Sequence, residues 1–317
     1  MRVLVHYDLT AQQQADLLEV ARAAGDHEVV FAHSEAEALC LAPACEALIG
    51  HFLPAVCAAA PRLRWIQSFS AGMDNFLFPG IVARDVVVTN MAGLYASQGA
   101  EHAWALLLAL SRGIPQAVRA QQQRAWRGGP AIELAGGTLL VVGLGGFGQQ
   151  IARRAAGYDM TVIALDPQRR EPPAGVHELL QGSRSDLHGA LPRADACMLA
   201  CPRTPQTYHL IGPAEFGLMQ PTAYLVNVTR GGIVDETALV EALAAGRLAG
   251  AALDVCEIEP PPPDSPLWEA PNLLLTAHRA GASQHRASAV ARFFAAQLGR
   301  FLRGEPLLNV VDKQRGY

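Results

Sequence analysis

His278 closes the apolar run "NLLLTAH", Glu259 stands just ahead of the prolines at 260–263, and Arg230 precedes two glycines in "NVTRGG". A histidine can hand over a proton near neutral pH. A carboxylate beside it would orient the ring and favour its charged form. The planar, permanently charged fork of arginine suits a substrate carboxylate better than a lysine point charge does. Taken singly, each has an ordinary structural reading: a satisfied histidine, a solvated loop acid, a surface charge. They acquire meaning only if the fold collects them around a reactive ligand.

A second stretch supplies the candidate ligand. "TLLVVGLGGFGQQIARRAAGYDMTVIALDP" contains Gly143-x-Gly145-x-x-Gly148. With 29 glycines in the chain, the pattern alone is weak, but its setting is specific. An apolar strand enters Gly143, a helix begins near Gly146 and ends near Gly157, and a second strand ends in Asp166. The first glycine allows the tight turn, the second lets a pyrophosphate approach the backbone, and the third lets the helix pack close to the sheet. The helix N-terminus then offers free N–H groups to phosphate. Asp166 suits the adenosine ribose hydroxyls and would repel a 2′-phosphate, which points to NAD. Arg169 and Arg170 nearby keep NADP open.

Hydride transfer from a nicotinamide to a 2-keto acid builds negative charge on the carbonyl oxygen, so a placed acid must meet it with a proton. His278, Glu259 and Arg230 meet that need as donor, orienting carboxylate and carboxylate clamp. Their placement falls to a βα rhythm of short Val/Ile/Leu runs separated by helical stretches, which is the pattern of parallel strands buried on both faces. The first series reads as strands 3–6, 28–32, 47–50, 65–68 and 86–89. Helix 11–24 is closed by Gly25, and a long Ala/Leu-rich helix covers about 95–112. The segment 127–137, "RGGPAIELAGG", reads as a turn or hairpin. The second series reads as strands 138–142, 161–165, 195–200, 223–228, 249–253 and 273–276. A final helix from about 283 to 303 is expected to return to the first series, making that lobe discontinuous. Ligands bind beyond the carboxyl ends of such strands. Those ends here are the glycine loop, Asp166, Cys201, Thr229-Arg230, Asp254 and His278.

Bulk properties narrow the class. The 317 residues are 50% hydrophobic and 17% charged, with net charge -4 and a pI near 6.2. That is globular and carries no nucleic-acid footprint. The longest wholly apolar run, 103–110, is too short to span a bilayer. "MRVLVHYDLT" reads as a strand entering a core rather than a targeting segment. Six scattered cysteines lack C-x-x-C spacing, so no metal is implied, and reduced, mostly buried thiols in a cytoplasmic protein are expected.

The motifs "VVGLGGFGQQIARR", "TPQTYHLIGPAEF", "LMQPTAYLVNVTRGGIVDETALVEAL", "AALDVCEIEP" and "PLWEAPNLLLTAHRAG", in this order, resemble the D-isomer specific 2-hydroxyacid dehydrogenase family, which includes glyoxylate/hydroxypyruvate reductases. The resemblance implies an α/β fold of two lobes. A Rossmann-type nucleotide-binding domain (99–283) is inserted into a discontinuous flavodoxin-like substrate domain (1–98 plus 284–317). It places the catalytic arginine, glutamate and histidine at Arg230, Glu259 and His278. Cofactor contacts are implied at Gly143, Gly145, Gly146, Phe147, Gly148, Asp166, Cys201, Val228 and Asp254, with Asp254 near the nicotinamide end. "SFSAGMDN" matches the substrate-lobe loop, so Ala71 and Gly72 are expected to offer N–H groups to the substrate carboxylate, alongside Arg230 and His278. "TNMAGLYASQGAEHAWALLLAL" resembles the hinge and the long helix used in homodimers.

Four positions depart from the family pattern: Ala277 and Ala92 stand where proline is common, Thr229 where alanine or serine is, and Arg203 where an apolar residue is. None removes a catalytic group, and Ala277 and Arg203 bear on substrate preference. The expectation is an NAD(P)-dependent oxidoreductase acting on a small 2-keto or 2-hydroxy acid. The alternatives are an NADH-sensing regulator on the same fold and a phosphite- or formate-type dehydrogenase. Formate enzymes of the family pair their histidine with glutamine, which Glu259 is not.

Overall fold

Runs such as "TLLVV" and "TVIAL" leave no face for water, so the strands that they form must lie between two layers of other structure. The computed structural model describes residues 1–317 except Asn75 and Pro130. The chain divides into two compact units, Met1–Leu94 with Ser283–Tyr317, and Tyr95–Ala282.

In the first unit the described elements are β1 (Arg2–His6), α1 (Ala11–Ala24), β2 (Glu28–Phe31), α2 (Glu35–Leu41), β3 (Ala47–Gly50), α3 (Pro54–Ala58), β4 (Trp65–Ser68), α4 (Pro79–Val82) and β5 (Val87–Thr89). The strands pair in parallel in the order β2-β1-β3-β4-β5, the flavodoxin-like order. Helix α1 starts at a capping box, with Thr10 accepting from the Gln13 N–H and the Gln13 side chain accepting in return from the Thr10 N–H. It stops at Gly25, whose φ of 133° suits glycine. The C-terminal helix Arg286–Arg303 packs on α1, so the chain's end completes the unit that its beginning started.

The second unit opens with α5 (Ala96–Ser111) and α6 (Ile114–Gln122). It continues through β6 (Thr138–Val142), α7 (Gly146–Ala155), β7 (Thr161–Leu165), β8 (Glu178–Leu180), α8 (Arg184–Ala190), β9 (Ala196–Leu199), α9 (Pro213–Leu218), β10 (Tyr224–Asn227), α10 (Glu236–Ala244), β11 (Gly250–Leu253) and β12 (Leu273–Leu275). These strands are parallel in the order β8-β7-β6-β9-β10-β11-β12. Counted within the unit this is 3-2-1-4-5-6-7, a doubly wound sheet whose order reverses between β6 and β9. Alternate residues of one strand feed opposite cores: Leu140 and Val142 of β6 join one cluster, Leu139 and Val141 the other.

Two readings of the sequence need amendment. β8 is an additional three-residue strand at the sheet edge. Of the turn or hairpin expected at 127–137, the turn is present at 135–136 and no hairpin occurs among the described residues, outside which Pro130 lies. Instead Leu134 is buried and Gly137 turns back to its carbonyl. The Ile132 N–H reaches the Ser111 carbonyl at the end of α5. The apolar residues there are used in packing on α5, not in cross-strand pairing.

Candidate active site

The residues singled out in the second unit stand along one edge of its sheet, in strand order. Asp166 follows β7, the glycine loop β6, Cys201 β9, Arg230 β10, Asp254 and Glu259 β11, and His278 β12. The strands end there because each apolar run meets a residue whose polar side chain or backbone requires a turn.

The glycine loop separates into two packed positions and one open one. Gly143 has φ 97°, and a Cβ on it would lie 2.8 Å from the backbone of Ala200 and Cys201. A Cβ on Gly148 would meet the Gly143 carbonyl oxygen at 1.8 Å, so only glycine lets α7 approach β6 this closely. At Gly145 a Cβ would find nothing within 4 Å. This residue is exposed and caps α7 with no side-chain hydrogen bond. Gly146 and Phe147 stand in the first turn of α7, at a positive helix end beside that open position. That space fits a pyrophosphate, and the loop fits a dinucleotide. The Phe147 ring lies against Gly99 of α5, where a Cβ would come within 2.4 Å of it; it anchors α7 while its backbone stays at the loop.

Asp166 shapes the same loop. Its Oδ2 accepts from the Leu144 N–H at 2.8 Å, and its Oδ1 from the N–H groups of Gln168 and Arg169 at 2.9 and 3.0 Å. Arg169 Nε donates to the Leu144 carbonyl at 3.1 Å. Arg170 donates to Gln181 and to the Pro167 carbonyl. Cys201 and Val228 are buried, and burial pushes the Cys201 thiol up to about 12.

At the other end of the edge, Glu259 Oε2 and His278 Nδ1 are 2.7 Å apart, and Glu259 Oε1 accepts the Cys256 N–H at 3.0 Å. Both side chains are partly exposed, 37% for Glu259 and 49% for His278. With Nδ1 committed to the carboxylate, Nε2 is the ring nitrogen left for a ligand. Arg230 is carried by a turn that Asn227 builds. The Asn227 Nδ2 donates to the Arg230 carbonyl at 2.8 Å and its Oδ1 accepts from the Thr229 N–H at 3.2 Å. Arg230 Nη1 donates to the Thr229 carbonyl at 2.7 Å. A Cβ on Gly231 would lie 1.8 Å from the Cys256 carbonyl oxygen. The Arg230 turn is therefore packed backbone to backbone on the loop that carries Glu259.

Asp254 contributes position. Its side chain is fully buried. Oδ1 accepts from Thr276 Oγ1 at 2.6 Å and from the Arg279 N–H at 2.8 Å, and Oδ2 from the Ala280 N–H at 2.7 Å. Burial alone would raise this carboxyl, but hydrogen bonds from His102, Thr276 and the Arg279 and Ala280 N–H groups outweigh it and hold it below the usual aspartate range. Its oxygens are spent on the chain's own donors. Sequence reasoning did not single out Asn227 or His102. The one signal for His102 is a histidine within an Ala/Leu-rich helix.

Ala71 and Gly72 belong to the first unit, just past β4, and are partly exposed. The Ala71 carbonyl accepts from Asn90 Nδ2 at 2.8 Å, and the Ser70 carbonyl from the Met91 N–H at 2.9 Å. Among the described residues no cluster of His, Cys, Asp and Glu could hold a metal ion, and no helix is long and apolar enough to cross a membrane.

The family model for the NAD-binding domain of D-isomer specific 2-hydroxyacid dehydrogenases matches residues 104–280. A glyoxylate reductase of Korarchaeum cryptofilum is 38% identical over 262 residues, which are 81% of this chain and 78% of that one. Among solved structures, a D-isomer specific 2-hydroxyacid dehydrogenase family protein of Aeromonas salmonicida superposes with a TM-score of 0.83 at 33% identity, covering 98% of this chain and 99% of the other. An NADPH-dependent glyoxylate/hydroxypyruvate reductase of Sinorhizobium meliloti, solved with NADP and sulfate, gives 0.81 at 27% identity, covering 100% and 99%.

Proposed function

We propose that this chain, which belongs to the D-isomer specific 2-hydroxyacid dehydrogenase family and is a nicotinamide-dependent oxidoreductase of 2-keto and 2-hydroxy acids, works as a 2-ketoacid reductase with His278 as its proton donor. The observation that carries the reading is the 2.7 Å contact of Glu259 with His278 Nδ1, on the sheet edge that also bears the open glycine loop. When bound at that loop, reduced nicotinamide supplies a hydride to the substrate carbonyl. His278 Nε2 donates the proton that the carbonyl oxygen takes up. Glu259 holds the ring in the orientation that frees Nε2. Arg230 clamps the substrate carboxylate, and on the motif alone the 70–72 loop is assigned further N–H contacts to it.

NAD is the preferred cofactor in this reading, because the Asp166 carboxylate at the ribose position opposes a 2′-phosphate. Glyoxylate and hydroxypyruvate are the proposed substrates, in keeping with the names of the relatives. We assign a homodimer, supported by Ile114 and Val118 exposed one turn apart on α6 and by a fully exposed Trp126; light scattering in solution reads it. A cytoplasmic location suits the six unpaired cysteines.

The test follows NADH, and separately NADPH, absorbance with glyoxylate, hydroxypyruvate, pyruvate, phenylpyruvate and 2-ketoisocaproate. Oxidation of NADH by the small keto acids is expected. Tight NADH binding with no turnover on any of them would turn the reading to a regulatory protein.

A further inference from the structure

We propose that His102 is a positioning residue for this reaction: acting through Asp254, it fixes the backbone that presents His278. The inference rests on the assignment of His278 as proton donor, and the experiment below separates the two. His102 lies on α5 among Ala103, Trp104, Leu106 and Leu107, all buried. The imidazole itself is only partly buried, 23% exposed, and the part turned inward needs partners. It finds two, with Nε2 3.0 Å from Thr276 Oγ1 and 3.1 Å from Asp254 Oδ1. Because the Thr276 hydroxyl donates to Asp254, the hydrogen on this contact belongs to Nε2.

The far side of Asp254 explains the need. His278 has φ 49°, in the left-handed region that non-glycine residues adopt only when their surroundings impose it. Three consecutive N–H groups reach Asp254, the first of them shared with the Thr276 carbonyl at 3.1 Å. The His278 N–H donates to the Asp254 carbonyl at 2.8 Å, the Arg279 N–H to Oδ1 and the Ala280 N–H to Oδ2. A carboxylate can hold two backbone donors in place only while its own rotamer is held. His102 and Thr276 grip it at Oδ1, the oxygen that also takes the Arg279 N–H, and the low affinity of this buried carboxyl for a proton agrees with four donors converging on it. Taking away the imidazole removes one of them. The 278–280 backbone can then relax toward ordinary φ values, which swings the ring away from Glu259.

The experiment compares wild type with His102→Leu, which removes the donor, and His102→Gln, which returns one at the place of Nε2. Two quantities are read: kcat per bound NADH in glyoxylate reduction, and amide hydrogen exchange over 278–280. The Leu variant is expected to lose about 10- to 100-fold in kcat with NADH affinity within about twofold, and to exchange about tenfold faster at these amides. His102→Gln is expected to recover most of both, which a role confined to folding would not give. Wild-type kcat and exchange in the Leu variant would overturn the proposal, as would a Gln variant no better than Leu. Should the Leu variant fail to fold, Thr276→Val removes a grip on the same oxygen. Faster exchange at 278–280 supports the latch, and unchanged exchange overturns it. A wild type that reduces no keto acid would refute the dehydrogenase reading alone, because exchange in the variants still decides the role of His102.

Discussion

Glu259 Oε2 sits 2.7 Å from His278 Nδ1 while its other oxygen accepts the Cys256 N–H, so one carboxylate ties the ring of β12's loop to the backbone of β11's. The ring's tautomer and direction follow from that tie. His278→Ala is expected to lower kcat for keto-acid reduction by about 10²- to 10⁴-fold, the usual share of general acid catalysis. The Kd for NADH should stay within about twofold. Glu259→Gln keeps an oxygen for the Cys256 N–H but loses the charge opposite the ring, and should fall between the two proteins. Steady-state kinetics with a fluorescence titration of NADH reads both; unimpaired turnover in His278→Ala would remove the proposed donor.

Two glycines of the same loop, Gly145 and Gly148, should respond to alanine in opposite ways. Gly145→Ala puts a methyl where nothing lies within 4 Å, at a backbone conformation open to any residue. The variant should therefore fold with an unchanged Tm. Its Kd for NADH should nevertheless rise about tenfold or more, because the space it fills is where pyrophosphate must approach. Gly148→Ala drives a methyl against the Gly143 carbonyl and should cost at least about 2 kcal/mol of stability. An unchanged NADH affinity in Gly145→Ala would move the cofactor away from this loop.

What could be read from the sequence, and what could not, divides along the range of the interactions. Strands such as β6 and β7 are legible because burial on both faces demands unbroken apolar runs, and their ends mark where the glycine loop and Asp166 turn out of the sheet. The three-residue β8 is too short to carry such a pattern. The segment 127–137 has a hairpin's composition, yet its backbone groups find α5 instead. Asp254 shows the limit most clearly. Its place at a strand end is local information, but its hydrogen bonds join residues 22 to 26 positions ahead and His102 far behind. The resemblance assigned Arg230, Glu259 and His278 together; nothing in the spacing of those residues alone brings Glu259 and His278 into contact.

Acid should weaken the fold through Asp254. Its folded carboxyl binds a proton less readily than an unfolded aspartate does, so the ionised form favours the native state. That contribution is complete above the unfolded value of about 3.9 and is lost as pH falls through the lower folded value. Asp254→Asn presents an amide N–H to a backbone N–H and should lower stability at neutral pH by about 3 kcal/mol or more. Tm measured stepwise from pH 7.5 to 3.5 should show a constant gap between the two proteins until about pH 4, then a narrowing one. A gap that widens with acid would contradict the direction of the shift.

The cysteines predict a chemically quiet enzyme. Cys40 is exposed, and the other five are buried. Burial pushes the Cys57, Cys201 and Cys256 thiols up to about 12, with the carboxylates of Glu236, Glu259 and Asp254 adding to the effect at Cys256. Reaction needs the thiolate, so a thiol reagent at pH 7.5 should label one cysteine in the native protein and six after unfolding, without loss of turnover. Rapid labelling of Cys201 with inactivation would show that the end of β9 opens in solution.

Cofactor choice is the sharpest test of Asp166. Its carboxylate accepts three backbone N–H groups around the glycine loop and stands at the end of β7, where a ribose 2′ substituent is read. Wild type should therefore use NADH with a kcat/KM at least about tenfold above that for NADPH, since a phosphate placed against a carboxylate loses more than 1.4 kcal/mol. Asp166→Ser removes the repulsion, leaves Arg169 on the Leu144 carbonyl, and should bring the two cofactors to near parity. The Tm of the variant reports separately on the lost loop contacts. A wild type that prefers NADPH would reverse the assignment: Arg169, not Asp166, would then be the group that reads the ribose.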